Sequence, residues 1–250
     1  ELFFPMPDDQ TRQNKMQTLG PQRQNDFVLF WVNRNARRKR PADLLEAWSK
    51  FMKMIEKEGK SDATLLMHTD PVDQEGPNLL VNAEALDIVD SIVFSNQRVE
   101  FDRMNILHNI SDCCINIAYA EGFGLATLEA MKVGKPVIAV KTGGLTRQVV
   151  DHRDESENGI ALEVEMKSLV GSQMVPYIYE DYVSTDTIAE SIYKMYKMSK
   201  SERKALGQKA RDYVQSEFAL QTTIDLWHDS LWDLTENYRT DQKFIIEEIS

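Results

Sequence analysis

The stretch CCINIAYAEGFGLATLEAMKVGKPVIAV, residues 113–140, decides the fold. It begins with an apolar run at 113–119, turns through two glycines, continues with helical spacing to residue 133 and ends in a second apolar run at 136–140. Short, continuously apolar runs are typical of strands buried on both faces, and a helix between two such strands places them parallel. The stretch therefore predicts one strand–helix–strand unit of a parallel sheet.

The same alternation of strands and helices extends in both directions from this unit. Further strands are predicted at residues 26–32, 63–69, 91–95 and 158–164, and further helices from Pro41, near 79–87, near 101–110 and near 144–150. Beyond residue 183 the apolar spacing is helical only. We therefore expect an α/β fold, a Rossmann-like doubly wound parallel sheet with C-terminal helices.

Two stretches of the chain show no clear period. Residues 1–25 are polar and contain proline, and we interpret them as a linker or arm. Residues 164–183 fit neither a helix nor a strand, so we expect an irregular surface excursion there, with a lid over a ligand as the alternative.

Composition and charge exclude several classes of protein. The 250 residues are 42% hydrophobic and 28% charged, which is typical of globular domains. A net charge of −11 argues against a nucleic-acid partner and against a polybasic membrane surface. No apolar run is long enough to predict a transmembrane segment. The only cysteines, Cys113 and Cys114, are adjacent, which suits a disulfide poorly and favours a reducing, cytoplasmic location.

In an open parallel sheet, ligands bind beyond the carboxyl ends of the strands, so the junctions that follow the strands are the candidate sites. The junction after the first strand carries five cations within seven residues: Arg34, Arg37, Arg38, Lys39 and Arg40. A solvated turn would explain such a run on its own. Its position ahead of a helix that starts with Pro41 instead favours contact with a bound phosphate.

The junction after the fourth strand combines glycines with carboxylates. Gly122 and Gly124 allow backbone N–H groups to approach a ligand, and the helix N-terminus that follows favours an anion. Glu121 and Glu129 could accept hydrogen bonds from sugar hydroxyls. A favourable acid near a helix start is the alternative for Glu129. The pair Gly143–Gly144 after the fifth strand is a weaker signal of the same kind, because a glycine pair usually marks a tight turn.

These motifs resemble the donor-binding half of GT-B glycosyltransferases, specifically the retaining family 4 enzymes, also called group 1. EGFGLATLEAM is similar to that family's E-x7-E motif, here Glu121 and Glu129, and KVGKPVIAVKTGG is similar to its continuation. The family's basic pair after the first strand matches Arg34 and Lys39, while Asn33 replaces the usual glycine.

The resemblance implies transfer of a sugar, as in hexosyltransferases, from a UDP- or GDP-sugar to an acceptor with retention of anomeric configuration. It implies catalytic roles for Glu121, Arg34 and Lys39. It implies donor-binding roles for Gly122, Phe123, Gly124, Leu125, Thr127, Glu129, Gln97, Arg98 and Val99. The alternatives are a related sugar-nucleotide epimerase or hydrolase and a nucleotide-sugar-binding module without catalysis.

We expect neither a metal nor a cofactor. The D-x-D triplet that holds a metal in the other large glycosyltransferase fold does not occur in the chain. The two cysteines and four histidines also lack the spacing of a zinc site. The sequence therefore predicts metal-independent chemistry.

The resemblance also suggests a division of the chain into segments. ELFFP at residues 1–5 resembles the end of the family's interdomain linker. We accordingly interpret residues 1–25 as linker, 26–217 as the nucleotide-sugar-binding domain and 218–250 as a C-terminal crossover helix and tail. On this interpretation the N-terminal domain, which would bind a saccharide, lipid or protein acceptor, is absent from the chain.

Overall fold

In the computed structural model, which describes residues 2–238, the main element of the fold is a parallel sheet. Its strands are β1 (Phe27–Val32), β2 (Ala63–His68), β3 (Ile92–Ser95), β4 (Cys113–Asn116), β5 (Val137–Val140) and β6 (Gly159–Leu162). Within the described residues they form one six-stranded sheet in the order β3-β2-β1-β4-β5-β6, with every neighbouring pair parallel. The predicted doubly wound α/β fold is confirmed.

Helices cover both faces of the sheet. They are α1 (Asp8–Leu19), α2 (Pro41–Glu56), α3 (Leu79–Ala85), α4 (Phe101–Ile110), α5 (Leu125–Lys132), α6 (Gly144–Val149), α7 (Thr185–Lys197) and α8 (Lys200–Glu217). Alternate residues of β1 enter different cores: Leu29 and Trp31 pack in one buried cluster, and Val28 and Phe30 in the other. This two-sided burial explains why β1 is apolar throughout.

The two cysteines of β4 are reduced and fully buried. Burial raises the pKa of the Cys114 thiol to about 12, because the thiolate is poorly solvated in the core. Both cysteines therefore act as small apolar core residues rather than as nucleophiles at neutral pH.

Residues 1–25, which the sequence presents as aperiodic, contain helix α1. Its residues are almost all polar, so no apolar stripe announces it. The segment ahead of α1 is attached to α4 by side-chain amides: the Phe4 N–H donates to Asn105 Oδ1 at 3.1 Å, and the Met6 N–H donates to Asn109 Oδ1 at 2.8 Å. The start of the chain thus packs against the sheet's helical layer.

The prediction of an irregular excursion at residues 164–183 was wrong. The segment forms an antiparallel hairpin of β7 (Met166–Val170) and β8 (Ile178–Tyr182). Its inner face is held by loops that follow β1 and β4. The Tyr119 and Tyr182 rings lie 4.7 Å apart with their planes tilted by 31°. The Arg40 guanidinium lies 4.7 Å from each ring, and Arg37 pairs with Glu180.

The chain divides into two compact units, with the boundary after Val214. The first unit contains the sheet and its helices, and the second contains a further helix, α9 (Leu220–Asn237). C-terminal helices were expected from the sequence, while the division of the chain into linker, donor domain and crossover segment stays a prediction. The part of the predicted C-terminal segment at 239–250 lies outside the described residues. Among the helices that are described, none has the length and apolar character needed to cross a membrane.

Glu180→Gln is expected to loosen the hairpin while leaving the sheet intact, because it removes the negative charge that faces Arg37. Since Arg37 is largely exposed, we expect only about two- to fivefold faster amide exchange in residues 166–182. Hydrogen–deuterium exchange measures this. Glu163→Gln, which removes the partner of Lys141 at the surface, is the matched control. Equal exchange of the hairpin in both variants would show that the ion pair does not anchor it.

Candidate functional site

A pocket of about 510 Å³ opens at the carboxyl ends of β1 and β4. These strands are neighbours in the sheet, but the connections that follow them lead to helices on opposite faces. Doubly wound folds bind ligands at the crevice where two such connections diverge. Seven of the residues predicted from the sequence line the pocket: Lys39, Val99, Glu121, Phe123, Gly124, Leu125 and Glu129. Its volume is in the range of small-molecule sites.

An ion pair between Lys39 and Glu121 joins the two loops that frame the pocket. Lys39 ends a single 3₁₀ turn, and Arg40 follows in the left-handed conformation with φ 57°, so the chain reverses before α2 begins. A backbone hydrogen bond of 2.9 Å from the Tyr119 N–H to the Arg38 carbonyl ties the same loops. The side chains of Lys39 and Glu121 are only 8% and 13% exposed, so this charge pair is held mostly inside the protein.

Glycines allow the third junction loop to pack against the second. Gly143 has φ 47°, and a Cβ at that position would overlap the carbonyl oxygen of Glu121. The Gly144 N–H donates to the same oxygen at 3.1 Å. The glycine pair therefore supports the loop that carries Glu121, and the Gly144 N–H is not available to a ligand.

The N-terminus of α5 lies at the pocket, because Gly124, Leu125 and Ala126 all line it. Gly124 caps the helix in the left-handed conformation, with φ 91°, and supplies no capping side chain. The first N–H groups of a helix have no partners within it and carry a partial positive charge. Together with Lys39, this helix end gives the pocket a cationic wall.

Glu129 lies on α5 and lines the same pocket. Its Oε2 is 3.2 Å from Nε2 of His108, a residue in the last turn of α4. His108 is completely buried, and this burial lowers the pKa of its imidazole. The carboxylate of Glu129 therefore faces the pocket from a fixed position next to a neutral ring.

Arg34 does not line the pocket, although the sequence placed it beside Lys39. Its guanidinium pairs with Asp73 at 2.9 Å and with Glu75 at 2.8 Å, and its side chain is 60% exposed. The hydrogen bond to Asp73 raises the pKa of Arg34 further above its ordinary value. The two carboxylates follow β2, and sequence reasoning did not consider them.

Four other predicted residues also lie outside the pocket lining. Gln97 and Arg98 are exposed, and only Val99 of their loop reaches the pocket. Thr127 is fully buried, and its hydroxyl lies 2.8 Å from the Gly124 carbonyl and 2.6 Å from Gln148 Oε1. Thr127 therefore stabilises the loop at Gly124 from inside the protein. Gly122 belongs to the same loop but does not line the pocket.

Several residues that line or support the pocket were missed by the sequence analysis. They are Phe3, Asn33, Phe101, Met104, Asn116 and, behind Glu129, His108. Asn116 left a signal, because it is a polar residue at the end of an otherwise apolar strand. Phe3 left none, since its segment carries no periodic pattern.

Comparison with known proteins identifies the family. The glycosyl transferases group 1 family matches residues 12–213, which is most of the chain. The chain belongs to this family. The resemblance carried by Glu121, Glu129 and the glycines between them is thereby confirmed at the level of the family.

Individual relatives of this group 1 glycosyltransferase chain are distant. It is 26% identical to the N-acetyl-alpha-D-glucosaminyl L-malate synthase of Bacillus anthracis over 183 residues, which are 71% of this chain and 43% of that protein. Anabaena HepE, solved in complex with UDP and glucose, is 19% identical with a TM-score of 0.70, covering 93% of this chain and 54% of that one. The chain thus spans about half the length of these two proteins.

One solved structure matches at nearly full length. The C-terminal domain of a glycosyl transferase group 1 family protein from Francisella tularensis is 20% identical with a TM-score of 0.64, and the match covers 88% of this chain and 97% of that domain. At this identity the likeness shows the fold alone. Across residues 2–238, no group of three or more His, Cys, Asp or Glu side chains is placed to hold a metal ion.

Gly143→Ala is expected to lower the free energy of unfolding by about 1–3 kcal/mol, because the new Cβ must meet the Glu121 carbonyl at a backbone angle that disfavours L residues. Gly122→Ala is the matched control from the facing loop. A Cβ there meets no atom within 4 Å, so stability should stay within about 0.5 kcal/mol. Urea unfolding measures the free energy of unfolding of both variants. Equal losses in the two variants would show that a Cβ at residue 143 is tolerated as well as one at residue 122.

Proposed function

We propose that this chain supplies the donor-binding half of a retaining glycosyltransferase and binds a nucleoside-diphosphate sugar, UDP- or GDP-linked, in the pocket between β1 and β4. One observation carries the proposal. A buried lysine, two carboxylates and the N-terminus of α5 converge on a single pocket in a chain that belongs to the group 1 family. The fold likeness to HepE, solved with UDP and glucose, supports the choice of ligand class.

The cationic wall suits the diphosphate. Lys39 has three N–H donors, and Glu121 does not use all of them, so a phosphate oxygen could be bound without breaking the ion pair. The N-terminus of α5 adds its unpaired N–H groups. Charge grows on the diphosphate as the sugar leaves, so donors fixed here would stabilise the transition state more than the ground state.

The two carboxylates suit the hydroxyls of the donor. Both line the pocket, where Glu129 would accept hydrogen bonds from the ribose diol and Glu121 from the sugar being transferred. Both side chains are explained as hydroxyl ligands, so their pairing does not indicate a hydrolase. Val99 is the residue of its loop best placed to contact the base.

The proposal depends on Lys39 more than on Arg34. Arg34 would have to leave Asp73 and Glu75 before it could contact a phosphate, whereas Lys39 already lines the pocket. Retention of configuration is proposed from the family resemblance. The acceptor, a saccharide, lipid or protein, would be bound by a second domain, and residues 26–217 would serve as the donor domain.

Titration calorimetry with UDP, GDP and ADP tests the proposal. We expect binding of at least one diphosphate by the wild type, and Lys39→Gln should weaken it by about 10- to 100-fold, because a charge-assisted contact to phosphate is lost. Arg38→Gln is the matched control: it removes the same charge from the neighbouring residue, which is exposed and does not line the pocket.

Two results would contradict the proposal. One is the absence of heat for all three diphosphates at millimolar concentration. The other is an equal loss of affinity in the Lys39 and Arg38 variants, which would indicate a diffuse charge effect instead of a site. A donor-alone product assay separates transfer from hydrolysis, since release of free sugar at the rate of transfer would favour the hydrolase alternative.

A further inference from the structure

His108 is a buried polar residue that the proposed donor contacts do not use. It lies in the last turn of α4, and its ring is completely buried. The rings of Phe3 and Phe30 contact it edge to face, with centroids at 5.7 Å and 5.0 Å. These contacts fix the plane of the imidazole and therefore the direction in which Nε2 points.

Hydrogen bonding assigns the tautomer of this histidine. Nε2 lies 3.2 Å from Glu129 Oε2, while Nδ1 is buried and has no hydrogen-bond partner. A buried N–H without a partner would cost free energy, whereas an unpaired lone pair on Nδ1 is tolerated more easily. The proton of the neutral ring therefore lies on Nε2, which donates to the carboxylate of Glu129.

This donation restricts the Glu129 side chain. Glu129 lies on α5 and is still 23% exposed toward the pocket, so without a partner its carboxylate could take several rotamers. The bond from His108 occupies one lone pair of Oε2 and leaves Oε1 and the remaining lone pairs for a ligand. It also joins α4 to α5 directly behind the pocket.

We propose that His108 is a positioning residue: its Nε2–H holds the Glu129 carboxylate in the orientation that accepts hydrogen bonds from the ribose hydroxyls of the donor nucleotide. This inference rests on the proposed function, because it concerns the same pocket. It goes further by naming a residue that touches no ligand and acts only through Glu129. The simpler alternative is that His108 is only a core residue that fills space between Phe3 and Phe30.

A positioning role and a purely structural role of His108 predict different effects on recognition of the ribose hydroxyls. We would measure the affinities for UDP and for 2′,3′-dideoxyuridine diphosphate by calorimetry in the wild type and in His108→Phe, His108→Gln and Ser111→Ala. Phenylalanine keeps an aromatic ring but loses the donor, and glutamine restores an amide N–H near the position of Nε2. Ser111 is the matched control, because its buried hydroxyl donates to the His108 carbonyl at 2.7 Å and does not contact Glu129.

We expect the wild type to bind UDP about tenfold or more tightly than the dideoxy compound, because hydrogen bonds to a charged acceptor contribute that much to the affinity. His108→Phe should reduce this preference to about threefold or less while the affinity for the dideoxy compound stays within about twofold. His108→Gln should recover part of the preference, and Ser111→Ala should retain it. A variant that had lost its fold would bind the dideoxy compound less tightly. An unchanged affinity for this compound therefore shows that the pocket is still folded.

Four results would overturn the inference. An unchanged preference in His108→Phe shows that Glu129 needs no positioning. Equal loss of affinity for both compounds in His108→Phe and His108→Gln, with lowered melting temperatures, assigns His108 to the core alone. If wild-type protein binds UDP without any preference for the hydroxyls, the inference fails and nucleotide binding survives. If wild-type protein binds no nucleoside diphosphate, the proposed function and the inference that rests on it are both wrong.

Discussion

The ion pair between Lys39 and Glu121 is the interaction on which the site depends. It joins loops that leave two neighbouring strands, β1 and β4, for helices on opposite faces of the sheet. Without it, a mostly buried lysine and a mostly buried carboxylate would each lack a charged partner, which is costly inside a protein. The backbone bond between the same loops and the close contact at Gly143 keep this pair in place. The pocket therefore consists of junctions that support one another.

Much of the fold could be predicted from the sequence because the relevant signals are local. The strands of the sheet are apolar over most of their length, and α2, between the first two of them, carries an apolar stripe, so burial and element type follow from short windows. Glu121, Gly124 and Glu129 could be identified for the same reason, since a strand, a turn and a helix start lie within one stretch. Lys39 belongs to the basic cluster after β1, and the resemblance to the family's basic pair singled it out there.

The remaining features depend on contacts between residues distant in the sequence. Helix α1 is polar and is held by α4, and the hairpin β7–β8 is held by Tyr119, Arg37 and Arg40. The choice between Arg34 and Lys39 is another example: both are cations of one loop, but carboxylates after β2 bind Arg34, while the 3₁₀ turn directs Lys39 inward. No local sequence pattern distinguishes these two cations. The metal-independent chemistry and the cytoplasmic location expected from the sequence stay predictions.

The wall of the pocket near Phe3 has a consequence for how the protein folds. The hydrogen bond from Phe4 to Asn105 joins residues 101 positions apart in the chain, and Phe3 contacts the ring behind Glu129. Such a contact can form only after a long loop closes, so it adds little to the early stages of folding. We therefore expect this wall of the pocket to be completed late in folding, after the sheet and α4 have formed.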